Sequence, residues 1–221
     1  MDTGRFRLKA TTHCELAIFI TRTGAGTHTG ILFQDRDILK ILDLQWHNRL
    51  RAATCSMGGG SPPHVVPKLE PEEVHDVRGM CRLVCERHQD GQRIPYAFGM
   101  RSWFNHAGNI VLGDGYGLTC STFVVKIFAA VGVNLVSHDE WPKRPEDVER
   151  QSELIELMKK GAPGVPPVPT DHISRVESEL PCFRIRPEEI SGAALFDVYP
   201  VNFPDSELAG KWLIRQIGLD E

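Results

Sequence analysis

No stretch of this chain approaches the roughly 18 consecutive apolar residues that a membrane-spanning helix needs; the strongest early run is Leu16 to Ile20. Neither sign of charge is in surplus. Lys and Arg total 25 against 29 Asp and Glu, a formal −4, so the basic stripe of a nucleic-acid binder is not expected. The opening Met1-Asp2-Thr3-Gly4-Arg5 lacks a basic segment followed by an apolar one, so no secretory signal is read there. Six cysteines without such a signal read as thiols rather than a disulfide framework. A cytoplasmic location is then expected, with export by a dedicated secretion system as the alternative. Internal repeats are missing too. What is present is an ordinary globular composition, 41% hydrophobic and 24% charged over 221 residues, enough to bury one core.

The first third reads as strands. Cys14 to Thr21 is β-rich and ends at the glycine-punctuated Thr23-Gly24-Ala25-Gly26-Thr27; His28 to Gln34 and Ile38 to Trp46 follow around a polar turn at Asp35-Arg36. An antiparallel meander is expected. Met57-Gly58-Gly59-Gly60-Ser61-Pro62-Pro63 reads as a long surface loop, and the 57–70 segment is a candidate cover for a cleft. Pro71-Glu72-Glu73 opens a helix with Val74, Val77, Cys81, Val84 and Cys85 on one face and Gly91 just past its end. Residues 92–119 read as a Gly- and aromatic-rich loop, and Thr119 to Val131 as a buried helix stopped by Gly132. From Trp141 on, short helical patterns alternate with Pro-rich breaks such as Gly161 to Pro169. The expected class is α+β: a core over residues 1–140 and a helical extension over 141–221 that packs on it without being an independent domain.

Three segments can carry chemistry. In Gly117-Leu118-Thr119-Cys120-Ser121-Thr122-Phe123-Val124 a cysteine opens a helix straight after a glycine-rich loop. Unpaired N–H groups and the helix dipole there favour a thiolate and can hold an oxyanion. The plainer reading makes Cys120 a small hydrophobe continuing the stripe of Val124, Ile127 and Val131. In Thr27-His28-Thr29-Gly30-Ile31 a histidine opens a strand, and neutral imidazole is the natural base for a thiol; a lone histidine is otherwise structural or solvent-facing. In Ile94-Pro95-Tyr96-Ala97-Phe98-Gly99 the Tyr96 hydroxyl can donate to an oxyanion, or the cluster is simple core.

The hairpin register bears on what orients His28. With Asp35 and Arg36 as the central turn residues, Gln34 pairs with Asp37 and His28 faces Asp43, whose carboxylate can hold the imidazole in one tautomer. A turn centred one residue later sets Gln45 there, and a three-residue loop sets Leu44. His47 shares the face of Asp43 and is a further candidate.

Pro95-Tyr96-Ala97-Phe98-Gly99, Cys120-Ser121-Thr122-Phe123-Val124 and His28-Thr29-Gly30-Ile31 together resemble the NlpC-type papain-like cysteine hydrolases. Because the histidine strand precedes the cysteine helix, the order is similar to the circularly permuted branch that includes lecithin–retinol-acyltransferase-like and related bacterial proteins. The resemblance covers roughly residues 13–135. It implies a papain-like core with an antiparallel sheet packed on the nucleophile helix, Cys120 as nucleophile, His28 as general base, and Tyr96 by the oxyanion or substrate site. Three positions depart from the family. Lys40 falls near the usual third polar residue and is unsuited to it, so that role moves to Asp43; Thr119 stands where the peptidases often have Asp, and Thr122 replaces a common Gly.

The expected activity is a thiol hydrolase cleaving an amide or peptide bond, including isopeptide or peptidoglycan-type links, through an acyl-enzyme. A lipid acyl hydrolase or acyltransferase of the same fold is one alternative and a non-catalytic binding module the other. The chemistry needs no cofactor and no metal. Cys81, Cys85 and His88 at i, i+4, i+7, with His75 nearby, invite a metal reading, but they share the apolar face of Val77 and Val84 without a Cys-x-x-Cys knuckle. Asn105-His106 reads as a solvated loop, Cys14, Cys55 and Cys182 carry no motif, and Lys143 to Asp147 reads as a solvated helix start. The expected partner is a peptide or acyl substrate.

Overall fold

Alternating apolar residues from Leu16 to Leu44 build the sheet on which the molecule is organised. A computed structural model of the protein describes residues 14–24, 26–55, 61–113, 116–161 and 167–219. Strands β1 (Leu16–Thr23), β2 (Gly26–Asp35), β3 (Ile38–Trp46) and β4 (Arg49–Thr54) form the meander, and β5 (His64–Val65) returns to the free edge of β1, giving the antiparallel order β4-β3-β2-β1-β5. Ile18, Ile20, Ile31, Phe33, Leu42 and Leu44 belong to the main core. The intervening Ala17, Phe19 and Leu32, on the other face, close over Cys14 and Cys55 in a smaller cluster, as the period of two requires.

The main core is completed by helices α1 (Pro71–Gln89) and α2 (Cys120–Ala129). Val77, Cys81, Val84 and Cys85 of α1 are buried in it, so their spacing is that of an apolar face. Among the described residues no group of three His, Cys, Asp or Glu side chains is placed to hold a metal. Between the two helices, β6 (Trp103–Phe104) and β7 (Ile110–Val111) pair in a small hairpin where the sequence reads only as loop. Their two-residue lengths leave no period to detect.

After residue 141 come α3 (Pro145–Lys160), α4 (Thr170–Ser178), α5 (Pro187–Ala193) and α6 (Phe203–Gln216). Helix α5 lies against β1, β2 and α2, and Ile185, Ile190, Ala193, Val201 and Leu213 are part of the main core. Helices α5 and α6 touch backbone to backbone: a Cβ on Gly192 would fall 2.4 Å from the Gly210 nitrogen. Helices α3 and α4 form a second cluster, in which Leu154, Ile155, Met158, Ile173 and Val176 close over Tyr96, Ala97 and Phe98. The architecture among the described residues is thus α+β, a five-stranded antiparallel sheet with six helices, none long and apolar enough to cross a membrane.

Three expectations need correction or comment. The β2–β3 turn is centred on Arg36 and Asp37, with Asp35 opposite Ile38 and Arg36 taking a left-handed φ of 55°. A helix does start at Pro145, and Lys143, Pro145 and Glu146 are exposed, but Arg144 and Asp147 are 7% and 1% exposed and belong to a buried ion network. Arg144 Nε lies 2.5 Å from Asp147, its Nη1 donates to Glu189, and its Nη2 donates to the Arg184 carbonyl at 2.9 Å. The proposed Gly58–Gly60 cover lies outside the described residues; the chain re-enters at the sheet edge, where Ile20 N–H donates to the Pro63 carbonyl at 2.9 Å.

Removing Arg144 takes from the buried Glu189 its guanidinium partner, while Asp147 keeps Arg186 and Arg184, so Arg144→Met is expected to cost about 3–5 kcal/mol in urea unfolding at neutral pH. The orphaned Glu189 would then take up a proton more readily folded than unfolded. The loss should therefore shrink between pH 7 and pH 5; a loss constant with pH would contradict the network.

Candidate active site

Helix α2 presents its first turn to a cleft. Thr119 is the N-cap: its Oγ1 accepts from the Thr122 N–H at 3.1 Å, while Thr122 Oγ1 accepts from the Thr119 N–H at 2.7 Å. Thr119 and Thr122, two of the three positions that depart from the resembled pattern, are therefore partners in one capping box. That box consumes the Thr122 N–H. Among the described residues no protein acceptor is found for the Cys120 and Ser121 N–H groups, which open the helix at the cleft. Cys120 is half-buried there, whereas Cys14, Cys55, Cys81 and Cys85 are buried.

Strand β2 brings His28. The β2–β3 ladder runs to Ile31 opposite Leu42. Carried onward, that register sets Gly30 against Asp43 and His28 against Gln45. Yet it is Asp43, not Gln45, that holds the imidazole: His28 Nε2 lies 2.7 Å from Asp43 Oδ2. The carboxylate reaches along the strand because Gly30 leaves room for it. A Cβ on Gly30 would come 2.5 Å from the Asp43 Cβ and 2.6 Å from the Phe19 ring. With Nε2 donating to Asp43, Nδ1 is left for Cys120, and the thiol and imidazole are hydrogen-bond partners. The Asp43 side chain is fully buried, and its other oxygen accepts from Arg51 Nε at 2.6 Å, directly across the β3–β4 ladder.

The Pro95–Gly99 segment is clamped against the loop that leads into α2. Leu118 N–H donates to the Pro95 carbonyl at 3.0 Å, and Gly117, at φ 135°, sits so close that a Cβ there would meet that carbonyl at 2.3 Å. Tyr96 is held on both sides of its backbone: its N–H donates to His47 Nδ1 at 3.3 Å, and its carbonyl accepts from His172 Nε2 at 2.7 Å. His47 is thus placed on Tyr96 and His172, away from His28. Burial, then the neighbouring His172, hold it down at about 4, so it stays a neutral acceptor. Glu179 Oε2 accepts from the Phe98 and Gly99 N–H groups, both at 3.1 Å. The Tyr96 ring stacks on Trp46 at 5.0 Å and lines the cleft with Cys120 and His28. Burial and the nearby Cys120 raise its phenol, which remains a neutral donor.

The cleft encloses about 180 Å³ and is lined, besides these residues, by Leu44, Gln45, Arg150, Leu154 and Arg184. Gln45 and Leu44, both candidates from the register, are wall residues. Arg51, Arg150, Arg184, Glu179 and His172 were not found from the sequence. Only Arg51 had an available signal: once 49–54 is read as a fourth strand, it faces Asp43. No family model matches the chain, and neither the curated proteins nor the solved structures contain a match.

The electrostatics favour an ion pair. Burial pushes the Cys120 thiol up, but the His28 bond and charge, the Thr29 N–H and the Arg184 charge outweigh it and hold it below its ordinary 9.0. Burial pushes His28 down, and the bonds to Asp43 and Cys120 overcome it, raising it to about 10. The two titrate as a coupled pair, with thiolate and imidazolium together between their two values. His28 therefore contributes stability that is complete below pH 6.5 and is lost as pH rises through about 10. Cys120 contributes above 9.0, and loses that as pH falls through its lowered value.

NMR titration of the His28 ring should give a midpoint near 10, and Asp43→Asn should bring it down by about 1–3 units; an unmoved midpoint would remove Asp43 from the site. Gly30→Ala forces Asp43 away and should slow alkylation of Cys120 by iodoacetamide at pH 7 by about tenfold, the effect of a one-unit rise in thiol pKa. Labelling at the wild-type rate would show that the close approach at Gly30 is immaterial.

Proposed function

We propose that the protein is a cysteine hydrolase of amide or peptide bonds with the permuted papain-like arrangement. The observation that carries this reading is the chain Cys120–His28–Asp43 at a helix N-terminus that opens on a cleft. A thiolate paired with an imidazolium fits nucleophilic attack on a carbonyl, because the nucleophile is already deprotonated and the acid is already charged.

In the proposed reaction Cys120 Sγ bonds to the carbonyl carbon and the carbonyl π electrons move to oxygen. That oxyanion lies at the Cys120 N–H, with the neutral Tyr96 hydroxyl as second donor. The tetrahedral species collapses as the C–N bond breaks, and the His28 imidazolium gives its proton to the leaving amine. His28, now neutral, takes a proton from water as the water oxygen attacks the thioester; the acid product leaves and thiolate and imidazolium are restored. Asp43 holds His28 so that Nδ1 faces the sulfur through both steps.

A non-catalytic module on the same scaffold predicts no special thiol. Iodoacetamide at pH 7 should label Cys120 at least about tenfold faster than the other five cysteines, read by peptide mass mapping. With an activated acyl ester, intact mass should then show an acyl adduct that Cys120→Ala lacks and that His28→Ala accumulates without hydrolysing. Equal, slow labelling of all six thiols would reject the enzymatic reading. The mass of an adduct trapped from natural extracts separates peptide from lipid acyl groups.

A further inference from the structure

The cleft wall contributed by the C-terminal segment is cationic. Arg184 and Arg150 line it together with His28, and among the described residues no Asp or Glu does. Arg150 donates to Glu153 at 2.6 Å on an exposed helix face, and Arg184 reaches Asp147 at 3.4 Å. Asp147 is shared: Arg144 binds it at 2.5 Å and Arg186 at 2.9 Å. Glu189, the other buried acid of the network, is taken by Arg144, the Trp141 indole and the Arg186 N–H. Three guanidinium groups thus face two buried carboxylates, with Glu146 and Glu207 added nearer the surface. Of the three, Arg184 has the longest contact with Asp147 and is the one that lines the cleft with Cys120, whose thiol its charge lowers. Glu188 comes near the rim but is bound to the Thr27 hydroxyl at 2.8 Å.

A guanidinium on the wall of a small cleft, whose ion pair is a shared carboxylate at 3.4 Å, has N–H donors left to offer an entering anion. Such a cation in a low-dielectric cleft focuses field on whatever enters. We infer that the substrate carries a carboxylate, or a group of equivalent charge, beside the scissile carbonyl, and that Arg184 with Arg150 holds it. The inference rests on the reading of Cys120 as nucleophile. It adds a specificity role for two residues outside the motif-bearing part of the chain. The anion neutralises Arg184 on binding, so its contribution to holding the thiolate passes to the substrate, and His28 remains the cation next to sulfur.

Iodoacetate and iodoacetamide differ in this one charge and form the same thioether bond at Cys120, with iodide leaving. The ratio of their rates cancels the thiolate fraction and isolates the field of the cleft. In the intact wild-type chain at pH 7 and low salt, the iodoacetate-to-iodoacetamide ratio at Cys120 should be at least about tenfold that of the same cysteine in the urea-unfolded chain. It should decline as salt is raised to 0.5 M. Arg184→Gln should lower the ratio about fivefold or more and Arg150→Gln by a smaller factor, while the part due to His28 persists in both. Should Arg184→Gln fold poorly, the salt dependence and Arg150→Gln decide. Fast iodoacetamide labelling with a ratio that neither variant nor salt changes would overturn the anionic-substrate inference and leave the nucleophile standing. Slow labelling by both reagents would overturn the two together.

Discussion

The site depends on a carboxylate with no access to water. Asp43 is enclosed in the sheet and has its two oxygens committed in opposite directions, one to Arg51 and one to His28. Burying that charge costs several kcal/mol, which only good geometry on both oxygens repays. The geometry in turn needs Gly30, since any side chain there would occupy the space through which the carboxylate reaches the imidazole. Arg51 does more than satisfy the second oxygen: it lies over the Phe19 ring at 5.9 Å, so the β4 edge, the second face of the sheet and the base are fixed by one side chain. From Asp43 the constraint passes to His28, from His28 to the Cys120 sulfur, and from there to the first turn of α2.

The helix end is built to receive it. A Thr119–Thr122 capping box occupies the third N–H of the turn and leaves the first two facing the cleft. An Asp at 119 would cap equally well but would bring a second carboxylate beside the thiolate. A threonine cap supplies the hydrogen bond without adding a negative charge beside Cys120.

Much of this could be read in the residues, but for unequal reasons. Cys120 and His28 stand out because each sits at an element boundary marked by glycine, and boundaries are where backbone donors and strand ends meet. Asp43 was reached by a register one residue wrong. The turn at Arg36-Asp37 puts Gln45 opposite His28, and the carboxylate succeeds only through a diagonal reach that a residue count cannot show. Strand β4 escaped notice because Arg49-Leu50-Arg51-Ala52-Ala53-Thr54 buries Leu50 alone, so Arg51 went unseen with it. The burial of Arg144 and Asp147 was also hidden. A mixed-charge run looks solvated until its partner Glu189, dozens of residues away, is brought onto it.

That distant pairing gives the last 80 or so residues their place. Helix α5 carries Glu189 into the main core, and with Arg144 it anchors the strand-like stretch 184–186 beside the cleft. His172 and Glu179 grip the backbone of Tyr96, Phe98 and Gly99 from the other side. A chain with a formal charge of −4 overall therefore has a cleft that Arg184 and Arg150 line and, among the described residues, no Asp or Glu does. Net charge cannot report this, since the local sign is set by which side chains the fold brings to the wall. At Asp147 one acid serves three arginines, and the one at the longest distance is the one that lines the cleft with Cys120.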